Sequence, residues 1–198
     1  MHYGTVILSS WAAFLLVWGI TAFGVKRDVR RDGSASVWSS VWPLRLVIGL
    51  LLIFLLLRHG DRARGQPSVF SGRALAFIPS PTLGWIAAAI VVLGICFAIW
   101  ARLTLGKNWS PKPSMKERHE LVTNGPYAYV RHPIYTGMLL AVFGTALTGS
   151  YFAIMVLVLA SVVFLSRIPR EEKIMLDLFP NEYPSYQART KRLIPLVW

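Results

Sequence analysis

The chain reads as an all-α integral membrane protein of about five transmembrane helices, ending in a helical hairpin with a cofactor pocket at its cytoplasmic face. Three observations predict this. Of its 198 residues, 55% are hydrophobic and only 15% are charged, where a soluble domain carries about 25% charged residues. The apolar residues gather into segments almost free of charge. The longest, Pro133–Ser166, runs 34 residues without one. That exceeds a single crossing, which needs ~20 residues, and Thr148-Gly149-Ser150 lies at its centre. A hairpin returns the chain to the side it left, so the polar clusters closing its two ends meet at one membrane face.

In chain order, Thr5–Val25 is the first span. It lacks a basic start and is followed by Lys26-Arg27 rather than a small-residue cleavage site, so it reads as an uncleaved span. Val41–Leu57 is the second, with Arg45 near its start, where a long side chain reaches the interface. Leu83–Trp100 is the third. The hairpin arms, Ile134–Leu147 and Tyr151–Ser166, are short for full crossings and imply a thinned bilayer or an early return. Between spans, Lys26–Ser40 and Arg58–Ser80 show no chemistry. Leu105–Gly125 is irregular, with Gly106, Pro111, Pro113 and Gly125, and a long irregular loop in a small protein is more often functional than idle. Glu171–Leu178 sets Ile174, Met175 and Leu178 opposite charges and fits a helix lying against the membrane face. Pro180 then stops the helix or starts a turn. Residues 1–82 read as a transmembrane scaffold and residues 83–198 as the working core.

Charge orients the chain. There are 21 Lys and Arg against 9 Asp and Glu, a formal charge of +12. In a soluble protein this would suggest nucleic acid; here the positive-inside rule accounts for it, and no nucleic-acid partner is expected. Sixteen basic residues follow the first, third and fifth spans, and only Arg58, Arg62, Arg64 and Arg73 follow the second. The amino terminus is therefore expected outside and the carboxyl terminus in the cytoplasm. Cys96 is the only cysteine, so no disulfide forms within the chain. His2, His59, His119 and His132 show no metal-ligand spacing, and no metal is expected.

The two clusters are Arg131-His132-Pro133-Ile134-Tyr135-Thr136-Gly137 and Arg167-Ile168-Pro169-Arg170-Glu171-Glu172. Gly125 and Gly137 allow close backbone approach, which suits a flat heterocycle or a ribose. Tyr127, Tyr129, Tyr135 and His132 offer ring faces and polar tips, and aromatic faces attract cations such as a sulfonium. Glu171 or Glu172 can accept two hydrogen bonds from a ribose diol, and an arginine fork fits a carboxylate. S-adenosylmethionine has all of these parts. Blander readings stand beside these. The Glu pair also suits a helix near a favourable dipole end. Arg102 and Arg167 serve equally as interfacial anchors or as acceptor ligands, and Trp109, Tyr183 and Tyr186 fit an aromatic belt.

Leu121-Val122-Thr123-Asn124-Gly125-Pro126-Tyr127 and the RHPxYxG element from Arg131 to Gly137 resemble the signature of the isoprenylcysteine carboxyl methyltransferase family. So do Arg167, Glu171-Glu172, Phe179, Glu182-Tyr183, Tyr186 and the closing Arg189–Pro195, with Arg102, Leu105-Gly106 and Asn108-Trp109 before them. The resemblance covers roughly Arg102 to Pro195. It implies a membrane methyltransferase that binds S-adenosylmethionine through Leu121, Val122, Tyr127, His132, Pro133, Tyr135, Gly137, Glu171 and Glu172. It further implies a lipophilic or lipidated acceptor drawn from the membrane, bordered by Arg102, Asn108 and Trp109, with Arg102, Arg167 and Glu172 as catalytic residues. Pro180 departs from the family's usual Gly, and the chain lacks the additional amino-terminal spans of the eukaryotic enzymes. Carboxyl O-methylation is the preferred reaction. N-methylation of a phospholipid amine, with Glu172 or His132 taking the proton, is the nearest alternative. A sterol-reductase-like enzyme using a nicotinamide cofactor is the next, and a scaffold or transporter is the non-enzymatic one.

Overall fold

The computed structural model describes residues 2–22, 80–106, 121–149 and 151–195. Five α-helices lie within them: α1 (Tyr3–Ala22), α2 (Pro81–Leu105), α3 (Pro133–Ala146), α4 (Tyr151–Leu178) and α5 (Tyr183–Arg189), with a 3₁₀ turn at Gly125–Ala128. Helix starts follow from the local sequence. Ser80 caps α2 by accepting the Leu83 N–H, and Pro81 occupies its first turn, where a missing N–H costs nothing. Pro133 does the same for α3 after His132.

α1, α2 and α4 are each long and apolar enough to cross a membrane. α3 has 14 residues, about 21 Å at 1.5 Å per residue, and is shorter than the ~30 Å hydrocarbon layer. The expected hairpin is present. α3 ends at Ala146, and Gly149, at φ +83°, turns the chain into α4, a backbone conformation that favours glycine. Leu8, Leu16, Ile20, Leu93, Val158 and Val162 are each more than half exposed, a surface suited to lipid rather than to water.

Small residues set the packing. A Cβ on Gly94 would stand 2.6 Å from Ala141 N, one on Gly137 2.6 Å from Ala98 N, and one on Gly144 2.9 Å from Ala87 O. These contacts run in opposite order along the two helices, so α2 and α3 are antiparallel with backbones in direct contact. In lipid, where burying apolar surface gives little drive, such close approach supplies the association. α1 runs parallel to α2. The Tyr3 ring lies over Gly84 at one end, and the Arg102 guanidinium donates to Thr21 O at 2.7 Å at the other. Trp11 Nε1 donates to Thr145 Oγ1 at 3.1 Å and ties α1 to the far end of α3. Phe14, Val91, Ile95, Ala98 and Ala141 fill the space between the three helices. The expected second span, Val41–Leu57, lies outside the described residues.

One expectation is corrected. Glu171–Leu178 is not a separate helix along the membrane face, because α4 runs unbroken for 28 residues, about 42 Å. Pro169 removes only the bond that its N–H would make to Leu165 O. The Arg167–Glu171 pair, one turn apart at 3.3 Å, spans the proline. The Glu pair is therefore carried on a direct extension of the second hairpin arm.

Candidate active site

The site forms where the hairpin opens. Val130 pairs in parallel with Lys191. Arg131 N–H donates to Lys191 O at 2.8 Å, and His132 N–H donates to Arg192 O at 3.0 Å. One turn into α3, Thr136 Oγ1 donates to Leu193 O at 2.7 Å. The carboxyl-terminal segment is thus laid along the entry to α3, and α4 brings its two glutamates against both.

Glu172 is 4% exposed and is the most heavily bonded of these groups. Arg131 Nε donates to its Oε1 at 2.8 Å. Arg192 reaches Oε2 through Nε at 3.2 Å and Nη2 at 3.1 Å, and Gln187 Nε2 donates to the same oxygen at 3.4 Å. A carboxylate buried with two guanidiniums stays ionised, since its charge is compensated and hydrogen-bonded. Arg131 also donates to the carbonyls of Gln187 and Thr190.

Glu171 is held differently. Its Oε1 accepts from Tyr135 OH at 2.6 Å and faces Arg167 Nη2 at 3.3 Å. Its Oε2 stands 3.6 Å from His132 Nδ1, while His132 Nε2 is 3.6 Å from Glu172 Oε1. Both imidazole nitrogens thus face carboxylates beyond hydrogen-bond range. His132 Nε2 is buried without a hydrogen-bond partner among the described residues, a group that normally finds one. The imidazole stacks on Tyr135 with centroids 5.7 Å apart, and Tyr135 stacks on Phe164 at 4.4 Å, each pair within 5° of parallel.

Behind this row, Tyr186 OH donates to Tyr127 O at 2.8 Å. Burial pushes the Tyr186 phenol up to about 12, with Arg131 and a hydrogen bond from Thr190 opposing. Burial likewise raises Tyr127 well above the ordinary phenol range; Tyr186 and Glu171 push the same way and Arg102 opposes. Both are neutral hydrogen-bonding groups at physiological pH.

The other expected site residues fall into three groups. Val122 packs with Ala101, Tyr127 and Ile134, Leu121 is half-buried beside it, and Pro133 is fully buried. The close approach expected at Gly125 and Gly137 is made, but by α2: added Cβ atoms would meet Thr104 at 3.3 Å and Ala98 N at 2.6 Å. Arg102 is 2% exposed. It donates to Thr21 O and Gly106 O at 2.7 and 3.0 Å, with its guanidinium over the Trp18 ring, contacts that join the ends of α1 and α2. Asn108 and Trp109 lie outside the described residues.

Residues 86–177 match the isoprenylcysteine carboxyl methyltransferase family. Protein-S-isoprenylcysteine O-methyltransferase of Schizosaccharomyces pombe is 33% identical over 208 aligned positions, covering 96% of this chain and 84% of that protein. The chain belongs to the isoprenylcysteine carboxyl methyltransferase family. Protein-S-isoprenylcysteine O-methyltransferase B of Arabidopsis thaliana is 30% identical over 131 residues, 62% of this chain and 66% of that one. A solved eukaryotic intramembrane Ras methyltransferase of the family shares the fold, with a TM-score of 0.59 at 23% identity, covering 98% of this chain and 65% of that one. The chain thus spans about two thirds of the length of the Arabidopsis relative and of the solved structure. Like other members of the family, it is an integral membrane protein.

The sequence places Arg131 in the first cluster and Thr190 and Arg192 in the closing signature without giving them a role, and it gives no sign of Gln187. Arg131 was in view as part of the RHP element, and a Glu pair within one hairpin of it is the signal for a buried ion pair. Arg192 belongs to the closing signature, but its partner is not legible there, because the pair depends on the tail folding back beside residues 130–132.

Proposed function

We propose that this protein transfers a methyl group from S-adenosylmethionine to the carboxylate of a lipophilic, isoprenylcysteine-like acceptor at the cytoplasmic face of the membrane. The observation that carries this reading is the convergence of Arg131-His132 with Glu171-Glu172 at the open end of an apolar hairpin. There the polar groups that suit a soluble nucleoside stand beside lipid that would hold an apolar acceptor. The names of the S. pombe and A. thaliana relatives support the acceptor class.

The residues suit the methyl donor. His132 Nε2 has no hydrogen bond within range among the described residues, and it faces Glu172 Oε1 at 3.6 Å while its Nδ1 faces Glu171 Oε2 at 3.6 Å, so a small turn of the ring would open either group to a ligand. Glu171 is placed to accept from ribose hydroxyls or an ammonium, and the stacked row of His132, Tyr135 and Phe164 lines the site with aromatic edges. Leu121, Val122, Tyr127 and Pro133 form walls. Gly137 contributes by letting α3 approach α2, which sets the position of His132. When bound, S-adenosylmethionine supplies an electrophilic methyl on a sulfonium sulfur.

A carboxylate acceptor is nucleophilic as it stands, so no residue need take its proton. What the chain must do is orient the acceptor and exclude water. Arg167, one turn before Glu171 and 22% exposed at its side chain, is the residue we assign to the acceptor carboxylate. Asn108 and Trp109 border the acceptor, Arg102 braces the end of α2, and Glu172 serves by holding two arginines. Residues 83–198 carry the chemistry, and residues 1–82 act as scaffold.

The test is methyl transfer from labelled S-adenosylmethionine to S-farnesylcysteine and, in parallel, to phosphatidylethanolamine. Label released as volatile methanol by mild base identifies a carboxyl ester and supports the proposal. Base-stable label on the phospholipid amine would replace it with N-methylation.

A further inference from the structure

The tail makes contacts that its sequence does not announce. The N–H groups of Arg131 and His132 precede the first turn of α3 and need acceptors from outside that helix. Lys191 and Arg192 supply them at 2.8 and 3.0 Å, and Leu193 O receives the Thr136 hydroxyl. On the side-chain level Arg192 grips Glu172 Oε2 while Arg131 grips Oε1. Glu172 is therefore the point where the entry to α3, the extension of α4 and the tail are tied together. His132 and Glu171 are each the sequence neighbour of one partner in that tie. Arg192 is the outermost member, its side chain 36% exposed against 8% for Arg131, so it can be altered without emptying a buried position.

We propose that the strap Thr190–Leu193 is a positioning element of the methyl-donor site, with Arg192 acting through Glu172 to set His132 and Glu171. The proposal rests on the methyltransferase reading above. With the strap fixed, the unbonded faces of His132 and Glu171 keep one spacing. With Arg192 removed, Glu172 Oε2 keeps only the 3.4 Å bond from Gln187, and the entry to α3 gains freedom.

The experiment uses the full chain in detergent, as wild type, Arg192→Ala, Arg192→Lys and Thr136→Val. S-adenosylhomocysteine affinity is measured by calorimetry, the KM of donor and acceptor by methyl transfer, and amide exchange at Arg131 and His132 by mass spectrometry with fragmentation. Arg192→Ala is expected to weaken donor affinity about fivefold, the scale of one part-exposed charged pair, to raise the donor KM but not the acceptor KM, and to speed exchange at both amides. Arg192→Lys should recover donor affinity, and Thr136→Val, which cuts the Leu193 tie instead, should shift it in the same direction as Arg192→Ala. Wild-type donor affinity in both Arg192→Ala and Thr136→Val, or unchanged exchange at Arg131 and His132, would overturn the strap while leaving the methyltransferase reading intact. Failure of folded wild type to bind S-adenosylhomocysteine would remove both.

Discussion

Arg131 and Glu172, 41 residues apart in the chain, meet at 2.8 Å with side chains only 8% and 5% exposed. The pair closes the mouth of the hairpin, and its cost of burial is offset only while both charges and their hydrogen bonds are in place. Removing one partner should destabilise by about 3–5 kcal/mol, because it leaves an uncompensated buried charge. Arg131→Ala and Glu172→Ala are each expected to unfold well below wild type in thermal melts. Arg131→Met with Glu172→Met should lose less than the two single changes together.

Backbone contact between α2 and α3 makes Gly137 intolerant of any side chain. Gly137→Ala places a methyl 2.6 Å from Ala98 N, and neither neighbour is a flexible tip that can move aside, so a cost of about 1–3 kcal/mol is expected. Activity should fall with it, since His132 is carried at the start of the same helix. Gly19→Ala is the control. Nothing lies within 4 Å of its added methyl, and the change should be neutral or stabilising by up to ~1 kcal/mol.

Tyr135→Phe separates the ring from its hydroxyl. The stack on Phe164 remains while the 2.6 Å bond to Glu171 is lost. A hydrogen bond to a charged group contributes roughly 1.5–3 kcal/mol to stability, so the fold should lose about that much, and with Glu171 less fixed S-adenosylhomocysteine affinity should drop. Thermal stability should change less than in Glu172→Ala.

Tyr186 predicts an alkaline response. Its phenol is held at about 12 in the fold against 10.0 unperturbed. Below pH 10 the proton is present in both states and stability is unaffected. Between 10 and 12 the unfolded chain releases it while the folded chain retains it, so stability falls as pH rises. Denaturation profiles from pH 9 to 11.5 should show a shallower decline in Tyr186→Phe. That variant should also start about 1 kcal/mol lower, from loss of the bond to Tyr127 O.

The parts of this protein that were legible in its sequence are those set by local composition. The charge-free run from Pro133, broken by Thr148-Gly149-Ser150, specifies a hairpin, and a hairpin by its nature brings Arg131-His132 to Glu171-Glu172. The contacts that stayed hidden are nonlocal. Arg192 reaches Glu172 only because the tail returns beside Val130, and Arg102 bonds a carbonyl on α1 that lies 81 residues earlier. Gly137 is an intermediate case. Gly94-x-x-x-Ala98 and Gly137-x-x-x-Ala141 form the spacing of helices in close contact within lipid, a signal that competes with the reading of a glycine left bare for a ligand. Glu171–Leu178 reads by itself as a surface helix because its charges stand opposite Ile174, Met175 and Leu178, and nothing local to it shows that it continues the hairpin arm.

The central claim is that the methyl donor binds where the two clusters meet. Its most direct test is calorimetric titration of S-adenosylhomocysteine into detergent-solubilised wild type, His132→Ala, Glu171→Ala and Gly19→Ala. Saturable binding by wild type and Gly19→Ala, weakened at least about tenfold (~1.4 kcal/mol) in the other two, is the predicted result. Absence of binding by folded wild-type protein, or equal binding by all four, would contradict it.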